Sequence, residues 1–176
     1  MSDIHGLKEK ISSTLAAAAT RAAERRQEYL HDQDELKKRL AQFDATVDQF
    51  CLVWRPRLQS LVEQFSNLVQ VKPVIQPHSR ESTFAFASDK YKVELKFSAG
   101  PDKDVRQMIL DYDLTIIPAL MKFDGHKRLE LPLNQVNEEV IATWLDERIL
   151  EFVETYIALQ GDDFFLEHMA QDKVNT

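Results

Sequence analysis

One cysteine, four glycines and no apolar run long enough to cross a bilayer set the first limits on this chain of 176 residues. With Cys51 alone, neither an intrachain disulfide nor a cysteine-based zinc site can form. So few glycines leave no GxGxxG or Walker-type loop to cradle a phosphate, and they favour long regular elements. A membrane helix needs roughly 20 consecutive apolar residues, and none is present. Nor does the N-terminus hold a signal core, because Arg21, Glu24, Arg25 and Arg26 closely follow an alanine-rich stretch. These absences predict a soluble, cytoplasmic chain with no membrane association.

A basic excess is also missing. The formal charge is −7, and residues 134–176 hold two basic and ten acidic side chains, while the rest is nearly balanced. Phosphate neutralisation supplies most nucleic-acid affinity, so nucleic acid is not an expected partner. Catalytic signatures are lacking too. His5, His31, His78, His126 and His168 are scattered without HExxH or HxH spacing, and no GxSxG elbow occurs. No cofactor is expected, and the balance points away from an enzyme.

What is present is a packed core's worth of apolar residues, at 44%, with an ordinary 29% charged. The length suits one domain with an appendage. Residues 3–69 read as helix. Leu36, Leu40, Phe43, Val47, Phe50 and Trp54 step by fours and threes, and Leu58, Leu61, Phe65 and Leu68 resume after a slip. Such spacing is a coiled-coil-like seam. Ile4, Leu7, Ile11 and Leu15 carry similar spacing further back. Pro56 interrupts the helix but not the apolar phase, which favours one kinked helix over a helical hairpin turning there.

Val71–Ser82, with Pro73 and Pro77, reads as a linker. Strands follow: Ser82–Ala87 and Lys90–Ser98 as a hairpin, a turn at Ala99–Asp102, then Gln107–Ile117. In the last of these Met108, Leu110, Tyr112, Leu114 and Ile116 alternate with polar residues. Ala119–Phe123 and Lys127–Leu131 flank Asp124-Gly125, a hairpin signal. Asn137 can cap a helix running to about Gln160, with Gly161 beyond it. The tail from Asp162 is acidic, with Phe164, Phe165, Leu166 and Met169 expected to pack in part. The expectation is an α+β fold: a helical arm over 1–70, then a domain over 71–176. In that domain four to five antiparallel strands carry the 137–160 helix on one face.

Asp111 and Asp113 are the sharpest chemical candidates. At i and i+2 on a strand they share a face and could hold a divalent cation or act as a coupled pair. A solvated face, with Lys92 or Lys96 opposite, accounts for them more simply. Glu167-His168 with Asp162 and Asp163 is better read as a solvated tail than as a metal site, and Cys51 as a small hydrophobe beside the seam. Leu36, Leu40, Phe43, Val47 and Phe50 form a strip that must be buried against something. A helix of some 60 residues would run about 90 Å, longer than a domain of this size can cover. Self-association through the arm is therefore the leading expectation, giving a non-enzymatic interaction or scaffold module and a homo-oligomer with room for a protein partner. The alternatives are an acidic chaperone-like protein that binds clients and a metal-dependent enzyme using Asp111 and Asp113.

Trp54-Arg-Pro56-Arg-Leu58, the Asp111–Leu120 strand, Trp144-Leu-Asp-Glu-Arg148 and Phe152-Val-Glu-Thr-Tyr156 together resemble uncharacterised bacterial proteins with a helical N-terminal region and an α+β segment. In some of these a YHS-type metal-binding segment follows, opening with a DPVCGM-like run. Here Asp172–Thr176 lacks its cysteine, so the resemblance brings neither an activity nor a metal site.

Overall fold

The computed structural model describes residues 4–118 and 123–161. The first helix, α1, is continuous from Ile4 to Phe65 and passes through Pro56, so the hairpin alternative is not formed. Proline removes one amide donor and frees the carbonyl four residues back. Both Pro56 and Leu52 are exposed, which leaves that carbonyl open to water. Arg57 donates to the next carbonyl, that of Val53, at 3.1 Å and to Asp146 at 2.8 Å.

After a 3₁₀ turn at Ser66–Leu68 come β1 (Val69–Gln76), β2 (Ser79–Phe86), β3 (Lys92–Pro101), β4 (Gln107–Ile117), β5 (His126–Pro132) and α2 (Glu138–Gln160). The sheet is an antiparallel meander in the order β1-β2-β3-β4-β5. Two expectations give way. The segment read as a linker is β1 and the start of β2, since Pro73 sits on an edge strand, where a lost amide costs little. The turn expected at Ala99–Asp102 comes later, because β3 pairs as far as Pro101 opposite Met108. The expected strand at Lys127–Leu131 forms as part of β5 and pairs with β4, with Asp113 opposite His126. Its expected hairpin partner Ala119–Phe123 lies mostly outside the described residues. Residues 119–122 and the tail from Asp162, with the Glu167-His168 pair, lie outside the described residues.

β4 alternates as its sequence predicts, with Met108, Leu110, Tyr112, Leu114 and Ile116 all buried. α2 is capped as expected: the Asn137 side chain accepts from the Glu139 amide at 2.8 Å, and the Gly161 amide donates to the Ile157 carbonyl at 3.0 Å. Both α2 and the C-terminal part of α1 cover the same sheet face. The Phe97 ring meets Trp54 of α1 at 6.2 Å and Trp144 of α2 at 6.4 Å between centroids. Phe86 lies 5.2 Å from Phe65 and 4.4 Å from Phe152. Each such ring contributes about 1.5–3 kcal/mol by leaving water.

The chain divides into two compact units, Met1–Ala41 and Gln42–Thr176. The division therefore falls inside α1 rather than near residue 70, because Phe43, Val47, Phe50, Trp54, Leu58, Leu61 and Phe65 are buried core residues.

Candidate functional site

The described residues of the first unit are all helical, and most of their large apolar side chains are exposed. Ile4, Leu7, Ile11 and Leu15 are 50–65% exposed, and Tyr29 is 63% exposed. Four of these recur at helical spacing, so they form one strip on one side of α1. Leu36 and Leu40 are half-buried. Leu30 is also 53% exposed, and the rest of this stretch is mainly polar, charged and short-chained, with Ala16–Ala19 giving high helix propensity. A strip of this kind is the usual mark of a surface that meets another protein.

In the second unit the same spacing is spent internally. Phe43 is 0% exposed, Val47 3% and Phe50 6%. Val47, Phe50 and Trp54 line a cavity of about 10 Å³ with Ala99, Met108 and Leu110 of the sheet. Of the five residues expected to mediate association, Phe43, Val47 and Phe50 therefore belong to the chain's own core. A twisted sheet with one apolar face requires that cover, and helix spacing alone does not reveal which stretch supplies it.

Asp111 and Asp113 do share the outer sheet face, as their i, i+2 spacing requires. Their partners come from β5. Arg128 grips Asp111 with Nε at 2.7 Å and Nη2 at 3.2 Å, and His126 Nδ1 lies 2.6 Å from Asp113. The Asp111 hydrogen bond and its charge push the Arg128 guanidinium above its ordinary value. The expected partner Lys96 stands opposite Asp113 but its ammonium pairs with Glu81 at 3.2 Å. Both carboxylates are thus engaged, and a cation would have to displace a guanidinium from one of them. Among the described residues no group of three or more His, Cys, Asp or Glu side chains is placed to hold a metal. Between the two, Tyr112 points into the core, and burial pushes its phenol well up.

A groove of about 310 Å³ opens where α1 crosses the β1–β2 edge, with Trp54, Leu58, Val62, Val71 and Phe84 among its walls. Cys51 stands at this groove half-buried rather than sealed in the core. Nothing in the spacing of α1 points to it, since the Val71 wall enters only once β1 is recognised as a strand. Among the described residues no helix is long and apolar enough to cross a membrane. Comparison with protein-family models, with curated proteins and with solved structures finds no match to this chain.

Proposed function

We propose that this chain is a non-enzymatic interaction module that associates with a second copy of itself through the first unit of α1, leaving the outer sheet face available to a protein partner. The observation that carries this reading is the strip of Ile4, Leu7, Ile11 and Leu15, each at least half exposed on one side of a regular helix. Covering a leucine or isoleucine stabilises by about 1.5–3 kcal/mol, so four of them offer a substantial driving force. Helical spacing of threes and fours is what a second helix accepts as knobs into holes. The Asp111 and Asp113 carboxylates, held by Arg128 and His126 of β5, lend no comparable support to a metal-dependent reaction.

The test is solution mass by light scattering on the full chain, alongside Ile11→Glu and Leu15→Glu variants. An oligomer that falls to monomer in both variants, with unchanged helical circular dichroism, is the expected result. A full chain that stays monomeric at high micromolar concentration overturns the proposal.

A further inference from the structure

The apolar strip of the first unit has an internal symmetry. Continuing its steps of three and four from Ile4 gives Leu7, Ile11, Leu15, Ala18 and Ala22, then an arginine, then Tyr29, Gln33, Leu36 and Leu40. The arginine is Arg25 or Arg26 according to the step taken. Ile4 and Leu40 each lie 18 positions from Ala22, Ile11 and Gln33 each lie 11, and Leu15 and Tyr29 each lie 7. Leu7 and Leu36 depart from the pattern by one position. The seam thus reads nearly the same from either end.

From this we infer that two copies of α1 pair antiparallel over residues 4–40, with the two-fold axis at Ala22; the inference rests on the self-association reading above. In that register Leu15 faces Tyr29 of the second copy, Ile4 faces Leu40, and Leu7 lies one position from Leu36. The seam arginine faces Ala18, whose small side chain leaves it room to reach solvent. A parallel, in-register pair would instead set arginine against arginine in the seam, placing two like charges where water is excluded.

Flanking charge selects the same orientation. Residues 8–26 carry five basic and two acidic side chains, whereas residues 28–35 carry four acidic and no Lys or Arg. Antiparallel pairing brings Lys10 level with Asp34 of the second copy and Lys8 within one position of Glu35. The acidic block then meets residues 9–16, whose charges balance. Parallel pairing stacks each block on its own likeness, and like charges across such a seam disfavour the pair. The overlap also ends at Leu40, just short of Phe43, where the seam becomes core. Thirty-seven residues of overlap correspond to about 55 Å of helix.

Disulfide trapping on the full chain with Cys51→Ser tests this. Leu15→Cys and Tyr29→Cys proteins are oxidised with diamide separately and as a mixture, with Ala22→Cys as the symmetric control and light scattering on each. The expected result is a covalent dimer from Ala22→Cys and from the mixture, with little from Leu15→Cys alone. In the antiparallel pair its two copies lie about 21 Å apart, far beyond disulfide reach. Strong cross-linking of Leu15→Cys alone overturns the antiparallel register while self-association stands. A dimer by light scattering in which the mixture does not cross-link overturns it equally. If every protein is monomeric, the association reading itself falls, and this inference with it.

Discussion

His78, held at a backbone φ of 58°, places its Nδ1 2.9 Å from the Asp44 carboxylate of α1. The β1–β2 turn is two residues long, Pro77-His78, closed by the Gln76–Ser79 pair. Pro followed by a residue in the left-handed region fits a type II turn, for which glycine or asparagine would be the easier second residue. One turn further along the helix, Asp48 takes Arg80 at 3.2 Å. Two carboxylates four apart on α1 therefore clasp the hairpin that the sequence presents as a linker.

Removing that clasp has a measurable cost. A double-mutant cycle of Asp44→Ala and His78→Ala is expected to show a coupling of about 0.5 kcal/mol, small because both side chains are partly solvated. The cycle cancels the left-handed backbone strain of alanine at 78. Chemical denaturation of the four proteins reads it directly, and a coupling near zero would mean that the His78–Asp44 contact does not hold the hairpin.

Phe152 is 0% exposed and touches Phe65, Phe86 and Tyr156. Its replacement by alanine leaves a cavity where three elements meet. Phe152→Ala is expected to lower unfolding stability by about 3–5 kcal/mol. A loss below about 1 kcal/mol in urea titration would show that α2 is not the principal cover of the sheet.

The β3–β4 turn depends on one carboxylate. Asp102 accepts from the Arg106 amide at 2.7 Å and the Gln107 amide at 2.8 Å, while Val105 takes a φ of 55°. Burial raises the Asp102 pKa, but the backbone amides together outweigh it and bring it below its ordinary 3.8. A depressed carboxylate adds stability above its unfolded value and loses it as pH falls through the folded one. Asp102→Ala should cost about 1 kcal/mol near neutrality. The gap between variant and parent should close as pH drops below 3.8. Thermal midpoints across an acid series check both parts, and a gap independent of pH would contradict the assignment.

Alkaline behaviour should be governed in part by Tyr156, whose hydroxyl donates to the Ala87 carbonyl. Burial, and secondarily the negative charge of Asp89, pushes its phenol from 10.0 to about 12. A raised folded value means stability fully present below pH 10 and lost as pH climbs through about 12. Tyr156→Phe lacks the hydrogen bond but escapes this loss. Its deficit relative to the parent, followed by thermal melts, should shrink across that interval.

β4 is the clearest strand in the sequence, and β5 is legible as well although it lies at an edge. β4 lies between β3 and β5, so its alternation reports a real division between core and solvent. Asn137 and Gly161 announced α2 because caps are local chemistry. β1 was hidden because an edge strand tolerates Pro73 and needs pairing from one side only. The partners of Asp111 and Asp113 were hidden for a different reason. His126 and Arg128 reach them only through the β4–β5 register, which the length of the intervening segment obscures. In α1 the spacing was plain throughout, yet spacing is the same whether a seam faces its own sheet or water. Only the position of the sheet separates Phe43 from Ile11.

The order of elements has a consequence for synthesis. Strands of the meander can zip to their neighbours as each leaves the ribosome, since every pairing is between consecutive strands. The cover is different: α1 comes first and α2 last, and Phe65 must wait for Phe152 and Tyr156. Until residues beyond 138 emerge, a finished sheet keeps part of its greasy side open. At 5–20 residues per second that interval is on the order of seconds, and during it nascent chains on neighbouring ribosomes are exposed to premature contact.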